Sequence, residues 1–314
     1  MRFVVEPQDE GKLLRSFLRE LGVSAALTSR LKQDECGMLL NGARVTVRAV
    51  LHAGDVLELA VEGQGNSHIL PRKLPIEVLL ETADLLVVNK PAGMPTHPSH
   101  GHFEDTLANG LAYHYTANGV SFRPRFINRL DRNTTGAVLV ARHALSGSKL
   151  CADMAGGKIQ KTYLALVDGQ ITQKRVIESG IRRRAESIIF REACPMDEGD
   201  YAKTIVEPIA SNAQFSLVRL IPCTGRTHQL RVHLAFVGHP LLGDDLYGGS
   251  DVRIARHALH AAVLTFPAPQ TREKVTVRAP LPADMRDLIL ELGREATECA
   301  KAECGFQAQA GEKL

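Results

Sequence analysis

The chain has 314 residues, enough for one large catalytic domain with a small accessory one or for two equal domains. Its 44% hydrophobic and 23% charged residues exclude a disordered or fibrous protein. A formal charge of +3 neither requires nor excludes a nucleic-acid partner, so the placement of charge matters more than its sum. The six cysteines (Cys36, Cys151, Cys194, Cys223, Cys299, Cys304) form no Cys-x-x-Cys pair and accompany no His pair at zinc-finger spacing, which argues for reduced thiols and against a disulfide framework or structural zinc. The start, Met1 to Glu6, lacks the apolar run of a signal peptide, and no segment is apolar for long enough to cross a membrane. A cytoplasmic protein without a membrane partner is expected.

In chain order, a short strand-like start leads into residues 11 to 34, where Leu13, Leu14, Phe17, Leu18 and Leu21, then Leu27 and Leu31 beyond a break at Gly22, predict two short helices. Their outer positions, Lys12, Arg15, Arg19, Arg30 and Lys32, predict a basic surface. Asn41-Gly42 lies between strand-forming runs, a strong hairpin signal, and Gly54-Asp55 turns into a last strand from Val56 to Val61. Residues 1 to 62 thus form a small α+β module. The polar, proline-bounded stretch 63 to 75 reads as a linker.

A second domain begins at Ile76. Strands are expected at Glu77 to Leu80, Leu85 to Asn89, Ala137 to Ala141, Thr162 to Val167, Thr204 to Glu207, Ser216 to Ile221 and Lys274 to Arg278. Their irregular spacing predicts an α+β fold with an extended mixed sheet and argues against a regular βαβ repeat. Residues 284 to 303 read as helix, followed by a polar tail. There is no internal repeat, and the glycines of Gly243 to Gly249 lack the Lys and Ser/Thr of a phosphate loop.

The chemistry concentrates in Asn128-Arg129-Leu130-Asp131-Arg132-Asn133-Thr134-Thr135-Gly136, a polar turn feeding the strand from Ala137. Between Arg123 and Arg142 there are five arginines and one acid, Asp131. A carboxylate flanked by guanidiniums stays ionised, which suits a nucleophile or base and not an acid. A turn-bracing role for Asp131 and Asn133 competes with this reading. A calcium loop does not, because its twelfth position is Arg142 where a bidentate Glu is needed. His97-Pro98-Ser99-His100-Gly101-His102 lacks the rigid spacing of metal ligands and reads as a loop over the active site.

This run resembles the Arg-Leu-Asp signature of the RluA-type pseudouridine synthases. Asn89-Lys90-Pro91-Ala92-Gly93-Met94 is similar to the family's Lys-Pro-x-Gly loop, and Lys161-Thr162-Tyr163-Leu164-Ala165 to its Lys-x-Tyr strand. Cys223 to His233 is similar to its Gly-Arg-Thr-His-Gln segment, and Gly243-Asp244 with Tyr247-Gly248 to its Gly-Asp-x-x-Tyr-Gly loop. Residues 1 to 62 resemble an S-four-like RNA-binding domain. The resemblance implies a mixed, largely antiparallel catalytic sheet over residues 76 to 283, with 284 to 314 as a C-terminal helix and tail. It implies isomerisation of uridine to pseudouridine in structured RNA, chiefly large-subunit ribosomal RNA and sometimes transfer RNA, by a monomer without cofactor or metal.

It further implies that Asp131 is the catalytic carboxylate, that Tyr163 packs on the target base, that Arg226 pairs with Asp131 and that Leu230 lines the base pocket. The strand-like sequence after Arg226 favours a fixed position for it. The target nucleotide is flipped out, and Arg129 fills the gap it leaves. The exposed Arg182-Arg183-Arg184 cluster would track phosphates. Two positions depart from the family pattern: Asn128 stands where His is frequent and Thr135 where Ser is frequent. Neither removes a group the chemistry needs. An inactive RNA-binding protein on the same scaffold, or a hydrolase of N-glycosidic bonds, are the competing functions.

Overall fold

The computed structural model describes residues 1–61, 69–120, 122–249 and 253–304. The N-terminal unit consists of β1 (Arg2–Val4), α1 (Leu14–Glu20), α2 (Ala25–Gln33), β2 (Met38–Leu40), β3 (Ala43–Arg44) and β4 (Val56–Leu59). Its antiparallel sheet runs β1-β4-β2-β3. The helical spacing seen in the sequence buries Leu14, Phe17, Leu18, Leu27 and Leu31 against that sheet. Ser24 caps α2 by accepting from the Leu27 N–H at 3.2 Å. Asn41 (φ 52°) and Gly42 (φ 79°) both take the left-handed conformation that a two-residue hairpin requires. Arg15, Arg19, Arg30 and Lys32 are exposed as expected. Lys12 is not a free surface charge: its ammonium is tied to Asp9 and Glu20, each at 2.6 Å.

Of the expected linker, residues 63–68 lie outside the described residues, and 69–75 run without helix or strand. The second unit then adds β5 (Glu77–Glu81), β6 (Leu85–Lys90), α3 (Leu107–Thr116), β7 (Arg125–Phe126), β8 (Thr135–Ala141), α4 (Ala144–Ala155), β9 (Gln160–Asp168) and β10 (Arg175–Arg183). It continues with β11 (Arg191–Cys194), β12 (Asp200–Ser211), β13 (Phe215–Pro222), α5 (Gln229–Phe236), β14 (Leu259–Pro267), β15 (Lys274–Arg278), α6 (Ala283–Glu291) and α7 (Arg294–Cys304). Eleven strands form one sheet in the order β11-β10-β12-β13-β9-β14-β8-β6-β5, with β15 beside β14 and β7 beside β8. Every described pairing is antiparallel except β8 with β14, which is parallel (Thr135 opposite His260, Gly136 opposite Ala261).

All seven expected strands are present, but β7, β10, β11 and β14 went unforeseen. In β10, Glu178-Ser179-Gly180 interrupts the apolar alternation, and in β14 a buried His260 and two alanines replace the branched residues that mark strands. The segment after Arg226 is helical, not strand-like. In α5, Leu230 and Leu234 pack into the main core while Val232 turns to Ile181 and Ala202, so an apolar residue at every second position serves two faces of one helix. The expected C-terminal helix is two helices divided at Gly293 (φ 90°), and both pack into the sheet's core through Met285, Leu288, Ala296 and Ala300. Residues 305–314 of the expected tail lie outside the described residues.

Alternation along the strands sorts the core into two faces. Tyr163, Ala165 and Val167 of β9 face α3 and α5, whereas Leu164 and Leu166 face α6 and α7. The first of these faces carries the site. The N-terminal unit is joined to the second one at α4, whose fully buried Leu145 belongs to the N-terminal core and whose Ser148 hydroxyl donates to Gly22 O at 2.9 Å.

Candidate active site

Asp131 lies in a tight turn between β7 and β8, closed by the Thr134 N–H on Asp131 O at 3.1 Å. The four residues that follow Asp131 are each held by a buried basic side chain. The Lys90 ammonium donates to Arg132 O at 2.9 Å, and to Pro91 O and Met94 O, both at 2.8 Å. The Arg256 guanidinium donates to Asn133 O at 3.2 Å. Thr134 Oγ1 lies 2.8 Å from His257 Nε2, and Thr135 Oγ1 lies 2.9 Å from His260 Nδ1. Three carbonyls around one ammonium satisfy its donors, so Lys90 can be wholly buried. Burial lowers its pKa to about 7, and nearby Asp131 opposes that shift.

The turn is anchored on both flanks. Asn128 accepts from the Leu139 N–H at 2.8 Å and donates to Ala137 O at 3.2 Å, bonds that need an amide and no titrating group. Gly136 (φ 112°) passes so close to β14 that a Cβ would stand 2.3 Å from Ala261 O, so the parallel seam beside the turn excludes any side chain there.

Across from this turn, α5 supplies the groups that face the carboxylate. Arg231 Nη1 lies 3.5 Å from Asp131 Oδ2, and His228 Nε2 lies 4.0 Å from Asp131 Oδ1. His228 is the cap residue before α5, in the left-handed conformation (φ 56°), and Arg231 lies in the helix's first turn. Arg231 is itself fixed: Nε and Nη2 reach the two oxygens of buried Asp244 at 2.8 and 2.7 Å, and its guanidinium stacks 5.0 Å over the Tyr247 ring. The Tyr247 hydroxyl lies 2.9 Å from His228 Nδ1 and accepts from the Arg191 N–H at 3.0 Å. Burial lowers the pKa of His228, with Asp131 opposing.

Above Asp131 opens a cavity of about 790 Å³, within the range of small-ligand sites. Among the described residues Asp131 is its one acidic lining residue, and its cations are Arg129, Lys161, Arg226 and Arg231. Tyr163 and Leu230 form apolar wall, 8% and 7% exposed. Burial, and then Asp131, raise the Tyr163 phenol's pKa, so it presents a neutral ring to the cavity. His97 also lines the cavity, edge-on to Phe126 at 4.5 Å, while His102 lies 3.3 Å from an Arg132 nitrogen, so the His97–His102 loop borders the site.

All five residues singled out in the sequence therefore surround one cavity. One pairing differs. No ion pair joins Arg226 to Asp131 among the described residues; Arg226 Nε donates to Tyr201 O at 3.0 Å, and Arg231 takes the place beside the carboxylate. Nor do the adjacent Arg129 and Arg132 form an ion pair with Asp131, because the turn directs them outward, where both are exposed. Sequence reasoning missed Arg231, Asp244, His228 and Lys90 as site groups, although all four lie inside the motifs it quoted.

The family model for RNA pseudouridylate synthase matches residues 84–236, which contain the turn, β9 and α5. The chain is 37% identical over 278 residues to the uncharacterized RNA pseudouridine synthase YjbO of Bacillus subtilis, covering 88% of this chain and 98% of that protein. The chain belongs to the RNA pseudouridine synthase family. The synthase is also 32% identical over 311 residues to the ribosomal large subunit pseudouridine synthase D of Haemophilus influenzae, covering 94% of this chain and 95% of that one. Among solved structures it resembles human RNA pseudouridylate synthase domain containing 1, at a TM-score of 0.55 and 29% identity over 66% of this chain and 84% of that one. The synthase is thus an isomerase acting on RNA, built on the mixed, largely antiparallel sheet of its family.

Proposed function

We propose that the synthase converts uridines of large-subunit ribosomal RNA to pseudouridine in the cytoplasm, with Asp131 as the catalytic carboxylate. The observation that carries this reading is a single carboxylate, held by a buried arginine, at the base of a cavity whose other charged groups are cations. The N1–C1′ bond breaks, the uracil turns over, and a C5–C1′ bond forms. C5 then gives up its proton and N1 gains one, so no atoms are lost and no redox partner is involved.

Arg231 aims Asp131 at the ribose, while Tyr163 and Leu230 hold the detached base between apolar surfaces. Because the base must leave its stack at a cost of roughly a few kcal/mol, Arg129 fills the space it vacates. Arg226, exposed at the cavity edge, takes a phosphate. The N-terminal unit, as an S-four-like RNA-binding domain, adds phosphate contacts through Arg15, Arg19, Arg30 and Lys32.

The test is chemical mapping of pseudouridine in RNA from cells lacking the protein, restored with wild type or with Asp131→Ala. One or more marks should vanish on deletion and return only with wild type. A mark that returns with Asp131→Ala would remove Asp131 from the chemistry, and free uracil or abasic RNA as product would make the protein a hydrolase.

A further inference from the structure

We propose that Lys161 forms a phosphate subsite at the mouth of the cavity, binding the backbone phosphate next to the flipped nucleotide. This rests on the RNA-isomerising reading above and adds a contact that reading does not use. Lys161 and Tyr163 are two residues apart on β9 and so face the same side of the sheet, and both line the cavity. Exposure rises along β9 from buried Tyr163 through half-buried Lys161 to exposed Gln160, which puts the lysine toward solvent and the tyrosine within. Two strand residues span about 7 Å, the order of the distance from a nucleobase to its own phosphate. With Tyr163 on the base, Lys161 is therefore at the height of the backbone.

The lysine's surroundings point to an anion from outside the chain. Among the described residues it makes no hydrogen bond and has no carboxylate within 4 Å, unlike Lys12, Lys90, Lys149, Lys174 and Lys203. Its titratable neighbour is Cys223, and burial lowers the lysine's pKa. Burying an ammonium without a partner is unfavourable, and a phosphate ester reverses that cost. Gly225 lies beside the ammonium, its Cβ position 3.7 Å from Lys161 Nζ, and Arg226 follows it in the chain.

The test measures binding of unmodified large-subunit ribosomal RNA transcript to the full-length chain across a salt series, for wild type, Lys161→Met, Lys161→Gln and Lys161→Arg. Both neutral variants should bind about tenfold more weakly, as for loss of one charge-assisted hydrogen bond. Their log K against log salt slopes should be shallower by about 0.7 to 0.9, the share of one phosphate. Lys161→Arg should restore the slope, and the neutral variants should melt no lower than wild type, since they lose a buried ammonium without a partner. A neutral variant that melts no lower than wild type and keeps the wild-type slope overturns the subsite and leaves the proposed function standing. Wild type that fails to bind RNA overturns both.

Discussion

At the scale of single residues, the side chain that organises the site is Arg231, shared between Asp131 and Asp244. Asp244 is fully buried and both of its oxygens are engaged by that one guanidinium, so Asp244→Asn leaves a buried positive charge with a weakened partner. Breaking such a pair typically costs about 3 to 5 kcal/mol, which we expect as a lowered urea midpoint. Turnover should fall with it, while Asp244→Glu retains part of both. The proposed catalytic carboxylate, its tyrosine and its leucine were legible from sequence because they lie in the short motifs that carry the family resemblance. Its arginine partner was not, because Arg226 and Arg231 lie in the same motif and only the helical turn of α5 decides which reaches across. Read as a strand, the segment offers no reason to prefer Arg231 to Arg226.

Among elements, the turn that presents Asp131 depends on parts of the chain far from it in sequence. Arg256, which holds Asn133 O, is itself gripped by Asp284 at the start of α6, at 2.7 and 2.9 Å. Asp284→Ala should therefore loosen the turn without touching the cavity. We expect kcat for pseudouridine formation to drop about tenfold, as for loss of one oriented charged contact, with KM within about twofold. A rise in KM alone would show that α6 does not act through the turn. The strands flanking the site illustrate what composition conceals. β8 is apolar from Ala137 to Ala141 and was evident, whereas its parallel neighbour β14 carries His260, buried and bonded to Thr135, where pattern reading expects a hydrophobic residue. Tertiary hydrogen bonds, not local propensity, make that segment a strand.

At the scale of the whole molecule, the same histidines couple the fold to pH. Burial lowers His233 and His260 to about 4 and His257 to about 2, from an ordinary 6.5. Below pH 6.5 the unfolded chain takes up protons at these positions that the folded one refuses, so stability falls as pH drops from about 6.5 toward 4 and is flat above neutrality. Each should cost on the order of 1 kcal/mol between pH 7.5 and 5.5, seen as a falling melting temperature that flattens in His260→Gln. Most strands were readable in the sequence, but the pairing of β8 with β14 was not, since this parallel seam joins residues 125 apart that no local pattern links. That seam also sets an order of events during synthesis. A ribosome that has made residues 1 to 250 has already produced Asp131, Tyr163 and Arg231. The nascent chain still lacks Arg256, His257, His260 and Asp284, and with them four of the contacts that shape the turn. Asp131 is therefore made before the contacts that aim it, and residues 251 onward act as its arming step.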